Sequence, residues 1–200
     1  MIGPSGGGAP RVVNELVDTT LSETIALHQR MRAADPTAIV DAATAIVETI
    51  TRDGTLLIFG NGGSATDAQH LAAELVGRFQ RERRALPAIA LTTDASVLTA
   101  ITNDYAFERV FSRQVEALGK RGDVAFGIST SGRSTNIVAA LEAARARSLQ
   151  TIALTGRDGG AVGRAAAIHI NVPSDSTPRV QEVHRTVLHI ICDMVERAFA

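Results

Sequence analysis

A chain of 200 residues that is 45 % apolar can bury one substantial core but is too short for two ordinary domains. Its 20 basic and 21 acidic side chains deny it the basic face that a nucleic-acid footprint needs, and only one of the cations, Lys120, is a lysine. A phosphate-binding loop that ends in lysine and a Schiff-base lysine in an apolar pocket are both excluded, which leaves amides, hydroxyls and arginine to hold any phosphate.

Residues 1–11, MIGPSGGGAPR, read as a flexible tail ahead of a single domain over 12–200. They hold no apolar leader, and no run of about 18 apolar residues occurs anywhere, so a cytoplasmic location is expected, with no membrane partner. Residues 12–32 and 36–52 are rich in alanine and leucine at helical spacing, with Pro36 where a first turn tolerates it, and predict two helices. Short apolar runs then alternate with small-residue loops and helical patterns: TLLIFG before NGGS, AIALT before TDAS, VAFGIS before TSGRS, and TIALT before GRDGG. A last run, AIHINV, precedes PSDSTP and a closing helix from about Arg179 to Phe199. This alternation predicts an α/β fold, a doubly wound parallel sheet flanked by helices, with ligands collecting at the carboxyl ends of the strands. The single cysteine, Cys192, lies in the apolar run LHIICDMV, forbids an internal disulfide, and reads as a buried structural thiol.

Two loops carry the signal for an anion. Asn61-Gly62-Gly63-Ser64 follows a strand and opens a helix, so its amides and the helix N-terminus can face a phosphate. Ser129-Thr130-Ser131-Gly132-Arg133-Ser134 has the same placement and adds four hydroxyls. Ordinary capped turns use the same residue types, and that reading stays open for either loop alone. Gly60-Asn61-Gly62-Gly63-Ser64-Ala65 also satisfies a dinucleotide-binding pattern, but the acidic residue about 20 positions on is missing: the next strand ends some thirty residues later, at Thr92 to Asp94.

Below the first loop, His70 and Glu74 are i and i+4 on one helical face, a spacing that suits a shared metal, a base beside its partner, or a solvated pair. On the closing helix Gln181 and His189 are about 80° apart around the axis and about 12 Å apart along it. One ion reaching both needs a distorted helix start or a second subunit. His28, His169 and His184 read as packed or solvent-facing histidines.

Four blocks in order, GNGGSATDAQHLAAELVGRF, GISTSGRSTNIVAAL, IALTGRDGG and RVQEVHRTVLHIICDMVE, resemble the sugar isomerase (SIS) family and within it the phosphoheptose isomerases, over about Leu16 to Phe199. The resemblance implies interconversion of sedoheptulose 7-phosphate and D-glycero-D-manno-heptose 7-phosphate. It further implies a cytoplasmic homotetramer with active sites at subunit interfaces that feeds heptose into lipopolysaccharide or related surface polysaccharide. By that resemblance Glu74 is the general base and His189 the general acid. Substrate contacts fall on Asn61, Gly62, Gly63, Glu74, Asn103, Asp104, Ser129, Thr130, Ser131, Ser134 and Gln181. One zinc per subunit falls on His70, Glu74, Gln181 and His189. One departure is Pro178, which stands where some relatives carry an aspartate three residues before the glutamine. Two rivals remain: a non-catalytic SIS protein that binds a replication-initiator partner, and an isomerase or sensor for another ketose phosphate.

Overall fold

The computed structural model describes residues 9–200. Contacts divide the chain into two compact units, one ending at Ala34 and the other running Asp35–Ala200. The first is the helix α1 (Ala9–Ala33), which takes in three residues of the expected tail; residues 1–8 lie outside the described residues. Val13, Val17, Leu21 and Ile25 repeat every fourth position along α1 and are exposed, so this helix presents an apolar stripe.

The second unit opens with α2 (Thr37–Thr51), whose start is fixed by Asp35: its carboxylate accepts the Thr37 N–H at 2.9 Å and the Thr37 hydroxyl at 2.6 Å. Five strands follow, β1 (Leu56–Gly60), β2 (Ala88–Ala90), β3 (Val124–Ser129), β4 (Gln150–Gly156) and β5 (Ile168–Val172), all parallel in the order β2-β1-β3-β4-β5. Between them run α3 (Gly63–Val76), α4 (Ala95–Asp104), a 3-10 turn (Phe107–Arg109), α5 (Ser112–Leu118), α6 (Thr135–Ala146) and α7 (Gly160–Ala165), and α8 (Thr177–Arg197) closes the chain. The predicted doubly wound sheet is therefore present, with every predicted strand in place. β2 is two residues shorter than AIALT because Thr92 and Thr93 turn their hydroxyls to the carbonyls of Ala65 and Ala90.

Parallel strands buried on both faces account for the unbroken apolar runs. Leu57, Phe59, Ala125 and Ala153 face one side, where they pack with Val110, Phe111, Ile137 and Leu141 from the α5–α6 layer. Alternate residues such as Ile58, Phe126 and Leu154 point the other way, and α2 and α3 pack against α8. The strand order switches direction between β1 and β3, and in sheets of this order the crevice at the strand ends opens there. The NGGS and STSGRS loops leave these two neighbouring strands and lie side by side.

Candidate active site

The two loops are bolted together by a pair of amides. Asn61 Nδ2 donates to Asn136 Oδ1 and Asn136 Nδ2 donates to Asn61 Oδ1, both at 2.9 Å, and Asn136 is buried at the start of α6. The Asn61 side chain is thereby committed to the fold, so a contact from this residue to a ligand falls to its backbone. Sequence reasoning missed Asn136, which lies 75 positions away and carries no local signal. In the second loop the hydroxyls of Ser129 and Ser134 are 3.0 Å apart, and Ser131 Oγ accepts the Arg133 N–H at 3.2 Å. Thr130 and Ser131 are half-buried at its rim.

Gly62 stands at the N-cap of α3 with φ +55°, where a side chain is strained. Gly63 has a different reason to be glycine: a Cβ there would lie 2.1 Å from Gln181 Nε2. That contact begins a series in which α3 and α8 run side by side in the same direction. One turn on, Arg185 Nη2 donates to the buried carboxylate of Asp67 at 2.6 Å. A further turn on, the Nε2 atoms of His70 and His189 are 2.8 Å apart. Gly63, Thr66, Asp67, Pro178, Gln181 and Arg185 line an open cavity of about 490 Å³ between the two helices.

His70, Glu74 and His189 each offer one ligand atom, and these atoms lie within 4.8 Å of one another, with His70 Nε2 3.5 Å from Glu74 Oε1. The three are partly buried at the base of the α3–α8 seam, and the Phe79 ring lies 5.4 Å from that of His189. Burial first, and then the neighbouring His70, hold the His189 imidazole below its ordinary pKa, with Glu74 opposing, so the neutral ring is favoured. The set therefore joins one carboxylate and two imidazole nitrogens in a small volume, a donor set and spacing that fit a zinc ion.

The remaining expected site residues are placed differently. Gln181 sits against Gly63, two turns up a regular α8 from His189, so within one chain it does not join the cluster. A distorted helix start, one of two ways expected to bring it there, is absent: α8 begins at Thr177 with Pro178 in its first turn and is helical at Gln181. Asn103 and Asp104 end α4 in exposed positions, with Asn103 Nδ2 donating to Asp104 Oδ1 at 2.8 Å. His28, His169 and His184 behave as structural groups, bonded to the Thr24 carbonyl, the Thr155 hydroxyl and the Thr155 carbonyl respectively. Cys192 is buried, and burial followed by the nearby Glu74 pushes its thiol up to about 12.

Residues 21–156 match the family model described as SIS domain. The phosphoheptose isomerase of Pelobacter propionicus is 52 % identical over 182 residues, covering 91 % of this chain and 96 % of that one. The phosphoheptose isomerase of Roseiflexus sp. is 50 % identical over 197 residues, covering 98 % of each. Among solved structures, phosphoheptose isomerase GmhA from Neisseria gonorrhoeae superposes with a TM-score of 0.87 at 44 % identity, covering 92 % of this chain and 99 % of that one. A phosphoheptose isomerase from Francisella tularensis does so with a TM-score of 0.89 at 38 % identity, covering 92 % and 98 %.

Proposed function

This chain belongs to the SIS-domain family and, within it, to the phosphoheptose isomerases, and from that membership we propose that it interconverts sedoheptulose 7-phosphate and D-glycero-D-manno-heptose 7-phosphate. The observation that carries the chemistry is the meeting of Glu74, His70 and His189 in the seam between α3 and α8.

Moving a carbonyl from C2 to C1 needs a base for the proton on C1 and an acid for the carbonyl oxygen. The Glu74 carboxylate takes the C1 proton and returns a proton to C2 on the same face. His189, favoured neutral by burial, donates a ring proton to the C2 oxygen and recovers one from the C1 hydroxyl, so the enediol forms and collapses without a free charge on either oxygen. The NGGS amides and the STSGRS hydroxyls, which lie at neighbouring strand ends, hold the phosphate. Gln181 holds a sugar hydroxyl in the cavity it lines. Asn103 and Asp104, exposed at the end of α4, reach the same substrate.

His70, Glu74 and His189 would hold one zinc ion per subunit, with Gln181 as a further ligand. The spacing along α8 is about 12 Å, which favours a Gln181 contributed by another copy of the chain. When bound, zinc supplies Lewis-acid polarisation of the substrate oxygens. A homotetramer with shared sites accords with this and with the apolar stripe on α1. Among the described residues no helix is long and apolar enough to cross a membrane, and we place the enzyme in the cytoplasm, as a single domain over residues 12–200 that initiates synthesis of nucleotide-activated heptose. The initiator-binding rival finds no support among relatives that match nearly the whole chain and are named as isomerases.

Substitution tests the assignment. Glu74→Gln and His189→Ala each lower turnover by at least roughly a hundredfold, as loss of an acid or base does, while the assembly measured by light scattering persists. Near-normal turnover in either variant refutes the acid and base roles of these two residues.

A further inference from the structure

We infer that Glu196 and Arg83 are positioning residues that hold Glu74 and His189 in register, an inference that rests on the isomerase reading above. After α3 the chain turns across the far end of α8, and three consecutive N–H groups of that turn point at one carboxylate. Phe79 donates to Glu196 Oε1 at 3.0 Å, Gln80 to Oε1 and Oε2 at 3.2 and 3.0 Å, and Arg81 to Oε2 at 2.8 Å. Converging amides of this kind make an anion site, and here the anion is the protein's own side chain. Burial pushes the Glu196 carboxyl up, but the three amides outweigh it and hold the group below its usual range.

Arg83 extends the latch. The side chains of both residues are fully buried, with Arg83 Nε 3.8 Å from Glu196 Oε1. Its other nitrogens donate to the carbonyls of Gly77 and Arg84, each at 2.9 Å, and to the carbonyl of Glu74 at 2.7 Å. One end of the guanidinium thus faces α8 and the other grips the backbone of the proposed base. The same turn carries Phe79, whose ring lies 5.4 Å from that of His189 at an interplanar angle of 32°. Glu196 follows His189 by seven residues, two turns along the same face of α8.

A purely stabilising role accounts for less of this arrangement. Apolar side chains of equal volume often hold a buried site as well as an ion pair does. They could not grip the Glu74 carbonyl or set the angle of the turn that presses Phe79 on His189.

The test compares Glu196→Gln and Phe79→Leu with the wild type. Glu196→Gln keeps the volume and one acceptor but removes the charge. In metal-free protein with 13C-labelled histidine, its His189 ring resonances move in the direction that Phe79→Leu moves them, because both lose the ring current of Phe79. On sedoheptulose 7-phosphate, kcat of Glu196→Gln falls between about ten- and a hundredfold, the scale of a slight misplacement of reacting groups, with KM changed less than about threefold. A lowered melting temperature with unchanged His189 resonances and unchanged kcat of the folded protein overturns the inference, as does a rise in KM alone. If Glu196→Gln does not fold, Phe79→Leu decides, since it leaves the carboxylate and its amides intact: an unchanged kcat there overturns the proposal. Wild-type protein inactive on this substrate retires the isomerase reading instead, and the histidine resonances then decide the latch by themselves.

Discussion

Adding a single methyl group at Gly63 separates stability from binding. The new Cβ of Gly63→Ala would stand 2.1 Å from Gln181 Nε2 and 3.0 Å from Gln181 Cδ. Those atoms are the far end of a flexible side chain, so Gln181 swings away and the backbone stays. Gly63 is the first residue of α3, and alanine is the better helix former by up to about 1 kcal/mol, so the fold loses nothing. What is lost, on the role proposed for Gln181, is one hydrogen bond to substrate, about 0.5–1.5 kcal/mol, which is roughly two- to twelvefold in KM. Urea unfolding and initial-rate kinetics on the same preparation read both quantities. Gly62→Ala is the opposite control: with φ at +55° and nothing within 4 Å of its Cβ, it destabilises by about 1–2 kcal/mol from backbone strain alone. A Gly63→Ala enzyme with wild-type KM and kcat, or one as destabilised as Gly62→Ala, refutes this reasoning about Gln181.

Asn136→Ala removes both hydrogen bonds of the amide pair and leaves the Asn61 amide unpaired, which lowers stability by about 1–3 kcal/mol in chemical denaturation and raises KM by freeing the first phosphate loop. His184 sets a pH dependence. It is fully buried with Nε2 on the Thr155 carbonyl and no partner for Nδ1, and burial holds its pKa below the ordinary value, against weaker upward pulls from the Thr155 hydrogen bond and Asp67. The unfolded chain takes up the proton near pH 6.5 and the native chain only at lower pH, so the stability that depends on neutral His184 is complete above about pH 6.5 and is lost as pH falls below it. The slope from this group approaches about 1.4 kcal/mol per pH unit. Urea titrations between pH 7.5 and 5 measure it, and His184→Gln, which keeps a donor for the Thr155 carbonyl, flattens it.

The fold was legible because four of the five strands are apolar runs closed by Gly, Ser or Thr, the pattern of a sheet buried on both faces. The His70–Glu74 pair was legible because i,i+4 spacing places two side chains together whatever the tertiary structure. His189 joined them only through the resemblance, since nothing in local spacing says that α3 and α8 lie side by side. The same packing brings Asp67 to Arg185, and the pairing of β1 with β3 brings Asn61 to Asn136; neither partnership carries a local signal. Arg83 lies in the run RERR, which reads as a solvated charge cluster, yet its side chain is buried. Glu196 looks like an ordinary charge in the last turn of a helix until the turn over Phe79–Arg81 is seen to close on it. Pro178 opens α8 cleanly, which keeps Gln181 helical and settles against the distorted start that the sequence left open.

The central claim is isomerisation by proton transfer from Glu74 through an enediol, and it is tested most directly by following purified protein and sedoheptulose 7-phosphate in D2O by NMR. The account predicts that D-glycero-D-manno-heptose 7-phosphate appears carrying deuterium at C2, and that Glu74→Gln abolishes both product and label. Absence of the aldose with the wild-type protein, or product and label undiminished in Glu74→Gln, would contradict it.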